Sequence, residues 1–119
     1  MTQGQCFIGG EWRSGGGGNI VSIDPASGET VWTGNAASAE DVDAAFMAAR
    51  AAFPGWARTP LADRIAIVER FGALLSEKKA EVAELIARET GKPLWDCQGE
   101  AAAMAGKIAI SVRAYHDRT

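Results

Sequence analysis

The amino-acid sequence predicts a mixed fold, with a β-hairpin layer over residues 1–38 and a layer of about four α-helices over residues 39–119. Three observations carry this reading. Nine of the fourteen glycines lie in residues 1–38, together with a single basic residue, Arg13. The other eleven Lys and Arg residues and twelve of the fifteen acidic ones lie after residue 38. Twenty-three alanines, all but one after residue 35, belong to helices that pack closely through small side chains.

The elements follow in order. Cys6-Phe7-Ile8 and Glu11-Trp12 flank Gly9-Gly10, a tight hairpin around a two-glycine turn. Gly15 to Gly18 reads as a flexible, solvated connector. Ile20-Val21-Ser22-Ile23 and Val31-Trp32 form a second hairpin. Its loop, Asp24-Pro25-Ala26-Ser27-Gly28-Glu29, is built from turn-forming residues. Ser38 caps the first helix, and Glu40 and Asp41 suit the positive end of its dipole. Val42, Ala45, Phe46, Ala49 and Phe53 make one apolar stripe, Pro54-Gly55 stops the helix, and Trp56 pins the connection into the core.

Thr59 caps the second helix and Pro60 takes its first position. Leu61, Ile65, Val68, Phe71 and Leu75 form its inner stripe. Ser76 is expected to cap a third helix whose Val82, Leu85 and Ile86 face inward. Gly91 ends that helix in a left-handed cap, and Pro93 forbids continuation. The fourth helix runs from about Leu94 to Tyr115, with Ala101, Met104, Ile108, Val112 and Tyr115 on one side. No internal repeat is present.

Composition excludes several functions. Twelve basic against fifteen acidic residues give a net charge of −3, the wrong sign for a nucleic-acid face. No apolar run reaches the roughly 18 residues of a membrane span, and Met1-Thr2-Gln3-Gly4-Gln5 lacks the features of a signal peptide. A soluble cytoplasmic protein is the expectation. Cys6 and Cys97 make neither a disulfide framework nor a zinc pattern, and no local base or cation activates either thiol. The lone His116 reads as a helix-surface or capping residue. Gly91-Lys92 lacks the upstream glycine and following Ser or Thr of a phosphate loop, and Gly15–Gly18 lacks G-x-G-x-x-G spacing. On residues alone the chain holds no catalytic constellation.

The order of motifs is more informative. It runs Phe7-Ile8-Gly9-Gly10-Glu11-Trp12, then Asp24-Pro25-Ala26-Ser27-Gly28-Glu29, then Asp41-Val42-Asp43-Ala44-Ala45. Ala48-Ala49-Arg50-Ala51-Ala52-Phe53-Pro54-Gly55-Trp56, Arg64 and Glu89-Thr90-Gly91-Lys92-Pro93 complete it. This succession, which covers essentially the whole chain, resembles the N-terminal quarter of the NAD(P)-dependent aldehyde dehydrogenase superfamily. Val31-Trp32-Thr33-Gly34-Asn35, Phe53-Pro54-Gly55-Trp56-Ala57-Arg58, Ala87 to Trp95 and, most distinctively, Lys107 to Thr119 are most similar to one branch. That branch oxidises N-succinyl-glutamate 5-semialdehyde in bacterial arginine catabolism.

The resemblance implies an α/β parent fold in which this chain is part of the outer wall of a Rossmann-like cofactor domain. It implies aldehyde oxidation with NAD, in which a cysteine thiolate attacks the aldehyde and a glutamate helps water release the acid. The nucleophile, base, cofactor motif and oligomerisation segments belong downstream of Thr119. No catalytic or cofactor-binding residue is therefore assigned here, neither Cys6 nor Cys97 inherits the nucleophile's role, and the 119 residues alone are expected to be inactive. The family's monovalent cation site matches the carbonyls of Ser22 and Ile23 and the side chain of Glu89; no other metal site is expected. Glu100 and Met104 match positions lining the substrate entrance, and Lys107, one turn on, is placed to meet a substrate carboxylate. The expected partners are the remainder of the enzyme and a small aldehyde, with homo-oligomerisation of the full-length protein. Two alternatives stand beside this reading, namely another semialdehyde as substrate and a non-catalytic helical interaction module.

Overall fold

The computed structural model describes residues 2–119; the expectations for Met1 lie outside these residues. Five strands precede four helices: β1 (Thr2–Gly4), β2 (Cys6–Ile8), β3 (Glu11–Arg13), β4 (Asn19–Ile23), β5 (Thr30–Asn35), α1 (Ala39–Arg58), α2 (Leu61–Glu77), α3 (Lys79–Thr90) and α4 (Leu94–Arg118). The composition changes at residue 38, but the chain divides after Arg58: the strands and α1 make one body, and Thr59–Thr119 makes a second.

In the first body β2 and β3 pair antiparallel, with Ile8 opposite Glu11. Gly9 and Gly10 take φ of 64° and 92°, the positive values that a two-residue hairpin turn needs and that a Cβ would penalise. The second hairpin pairs β4 with β5, with a register shift between Ser22 and Ile23. Its loop closes as the turn chemistry predicts. The Asp24 carboxylate accepts from the N–H groups of Ala26 (2.8 Å) and Ser27 (3.3 Å), and Gly28 N–H donates to the Asp24 carbonyl. β1 adds parallel to β5, giving the order β1-β5-β4. No pattern in the sequence marks this strand, because a three-residue edge has no periodicity to read.

The expected solvated connector is instead a packed segment. Gly15 is buried, and a Cβ there would lie 2.1 Å from the Ala36 carbonyl oxygen. Gly17 N–H donates to that carbonyl, and Ala36 N–H donates to Gly18 O. Glycine is needed here because two stretches of backbone approach closer than any side chain permits.

The start of α1 follows the expected cap in a stronger form. Ser38 Oγ accepts from Asp41 N–H (3.2 Å), and an Asp41 carboxylate oxygen accepts from Ser38 N–H (2.9 Å), a reciprocal capping box. That oxygen also accepts from Gly16 N–H at 2.7 Å, which ties the glycine segment to the helix. The Gly16 and Ser38 hydrogen bonds hold the Asp41 carboxyl below its ordinary pKa. The bond to its own backbone N–H and one to Ser38 do the same for Glu40.

Four expectations for the helices are corrected. α1 runs through Pro54 and Gly55 to Arg58. Proline's φ is already helical, and a proline four residues from the end sacrifices one hydrogen bond that the alanine-rich helix absorbs. Pro60 is the N-cap of α2 rather than its first helical residue, at φ −52° and ψ 143°. Its carbonyl accepts from Asp63 and Arg64. Ser76 caps nothing; it lies in the last turn of α2, and Lys78 alone separates α2 from α3. A serine cap needs an extended backbone, whereas Lys78 at φ −97° and ψ 9° turns the chain within one residue. Trp56 and Leu85 are exposed rather than buried, as are Phe46 and Phe53 of the α1 stripe. Within its own body α1 packs on β2, which cannot cover the whole stripe.

The second body packs α4 against both α2 and α3. Ala83, Cys97 and Ala101 form its centre, with Val82, Ile86 and Ala87 around them. Gly91 takes the expected left-handed cap (φ 72°, ψ 10°), and its N–H donates to Ala87 O. Pro93 is the N-cap of α4, which extends to Arg118. Among the described residues no helix is long and apolar enough to cross a membrane.

Two predictions follow from this geometry. Gly15→Ala destabilises the fold by about 1–3 kcal/mol through overpacking, whereas Gly18→Ala, with nothing within 4 Å, leaves denaturant unfolding unchanged. Because the folded Asp41 carboxyl has a lowered pKa, its stabilisation is present above the unfolded value near 3.8 and is lost as pH falls through the folded value. Melting curves of Asp41→Asn against pH will therefore lie below those of the parent at neutrality and converge with them in acid.

Candidate functional site

The turn between α3 and α4 brings Lys92 to Glu100, one of the residues expected at the substrate entrance. Gly91 reverses the chain and Pro93 starts α4, so that Lys92 projects beside the first turns of α4. The turn is fastened from both sides. Thr90 Oγ1 donates to Ile86 O at 2.7 Å and accepts from Lys92 N–H at 3.3 Å. The Cys97 thiol donates to Lys92 O at 3.9 Å.

Lys92 Nζ forms an ion pair with Glu100, eight residues along. The hydrogen bond to Glu100, then its charge, raises the Lys92 pKa above the ordinary lysine value of 10.5. The sequence marks Lys92 as a cation at a helix end, and the family resemblance marks Glu100 as a lining residue; their pairing is not legible there, because residues eight apart meet only once Gly91 has turned the chain.

Glu100, Met104 and Lys107 fall at i, i+4 and i+7 of α4 and so share one face. Glu100 is half-buried, Met104 is 44 % exposed and Lys107 is exposed. Lys92 pairs with Glu100, and Lys107 makes no ion pair among the described residues. The face is thus an apolar methionine between a neutralised acid and a cation, which suits a chain-like ligand ending in a carboxylate.

The other expected residues are on other elements. Ser22 and Ile23 are adjacent in β4 of the first body, where the register shift interrupts the ladder. Glu89 is in the last turn of α3 in the second. Among the described residues no group of three or more His, Cys, Asp or Glu could hold a metal ion. Cys97 is fully buried and Cys6 half-buried. His116, in the last turn of α4, stands edge-on to Tyr115 at 5.8 Å. It lines an apolar groove between α2 and α4 with Gly72, Ser76, Ile108, Val112 and Arg113.

The Gly15–Gly18 segment does not fit the pyrophosphate of a dinucleotide. The glycine segment is the only glycine-rich loop in the sequence, and Gly16 N–H already donates to the Asp41 carboxylate. A pyrophosphate at that place would meet a negative charge and Ala36–Ser38 backbone rather than free N–H donors.

The ion pair makes a testable contribution. A lysine whose folded pKa is raised stabilises the fold below its unfolded pKa, and that stabilisation is lost as pH rises through the folded value. Glu100→Gln will lower the melting temperature at neutral pH. The gap from the parent will close above pH 10.5, and Lys92→Met will show the same loss with no further effect of Glu100→Gln in the double variant.

Comparison with known proteins places this geometry in a family. The model of the aldehyde dehydrogenase family matches residues 12–118. The chain is 51 % identical over 115 residues to the N-succinylglutamate 5-semialdehyde dehydrogenase of Paraburkholderia xenovorans (strain LB400), covering 97 % of this chain and 24 % of that protein. It is 55 % identical over 113 residues to the enzyme of the same name from Escherichia coli (strain K12), covering 95 % and 23 %. The crystal structure of an NAD-dependent benzaldehyde dehydrogenase from Corynebacterium glutamicum superposes with a TM-score of 0.88 at 31 % identity, covering 96 % of this chain and 25 % of that one. The chain thus spans about a quarter of the length of the relatives it matches. With a family match across nearly all of its residues, and strands and helices that superpose on a solved member, the chain belongs to the aldehyde dehydrogenase family.

Proposed function

We propose that this chain is the N-terminal part of an NAD-dependent enzyme that oxidises N-succinyl-glutamate 5-semialdehyde to N-succinyl-glutamate in arginine catabolism. The observation that carries the reading is 55 % identity over 95 % of the chain to the E. coli protein of that name. A shared family alone would leave the aldehyde open; this identity favours one with several carboxylates.

The chemistry converts an aldehyde and water to a carboxylic acid, with two electrons leaving as hydride. The groups that react come from outside these 119 residues. Cys97 is fully buried with its thiol directed to the Lys92 carbonyl, so it is withheld from any substrate. What this chain contributes is binding. The α4 face presents the Met104 side chain to the aliphatic part of the substrate and Lys107 to a carboxylate. Lys92 holds Glu100 neutralised, so that an acid on the same face does not repel the ligand.

The test uses the full-length protein, N-succinyl-glutamate 5-semialdehyde and NAD, with NADH formation as readout. The expected result is a higher kcat/KM for this substrate than for succinate semialdehyde or a neutral aldehyde. A higher value for another semialdehyde overturns the assignment. Lys107→Met is expected to raise KM for the succinylated substrate about tenfold, the loss of roughly 1.4 kcal/mol of binding. It will leave kcat and the KM of a neutral aldehyde unchanged.

A further inference from the structure

We draw no further inference here: the strongest candidate, the open apolar groove between α2 and α4 lined by Gly72, Ala105, Ile108, Ala109, Val112 and His116, carries nothing because nothing in the structure shows what covers it.

Discussion

Helices α3 and α4 meet through residues too small to hold them apart, and most of the second body follows from that. Ala83, Cys97 and Ala101 are buried at the contact, and Cys97 is the largest side chain that is fully enclosed. Close approach of two helix backbones buries little area per residue but excludes water along a continuous seam. It also demands a short, sharply defined turn between them. The left-handed Gly91, the Thr90 hydroxyl and Pro93 supply that turn in four residues. The same constraint operates between α2 and α4, where a methyl on the buried Gly72 would lie 3.0 Å from Ile108.

The cost of such packing is that large apolar side chains are left outside. Phe46, Met47 and Trp95 are each more than 70 % exposed, and Trp12 is 67 % exposed. On the β2–β3 hairpin, Phe7 and Trp12 stack on each other at 4.9 Å, which shelters part of their surface. Large apolar side chains left exposed in this way are suited to contact with other protein surface.

The charge pattern of α4 depends on the same turn. Because Gly91 reverses the chain, Lys92 reaches Glu100 and pairs with it. Asp41 plays a comparable part in the first body. One carboxylate gathers the N–H groups of Ser38 and Gly16, and this both caps α1 and converts a glycine run into a fixed segment. A negative charge held in this way makes the loop unsuited to a phosphate.

The sequence by itself determined what depends on neighbours a few residues apart. The Gly9-Gly10 turn, the Asp24–Gly28 loop, the Ser38 cap and the Gly91 stop are set by local hydrogen bonds and allowed φ, and all were legible. So was the family, because motifs in a fixed order are a property of the chain rather than of its contacts. Only the tertiary structure decided the rest. It seated Gly15 against Ala36, paired β1 with β5, carried α1 through Pro54 and joined Lys92 to Glu100. Each of these depends on groups brought together from separate segments, or on whether a long helix can absorb one missing hydrogen bond, and neither condition is written in local spacing. The helical stripes show the divide within single elements. Periodicity marked Phe46, Phe53 and Leu85 as apolar-face residues, but burial requires an opposing surface, and among the described residues that surface leaves them 72 %, 57 % and 46 % exposed.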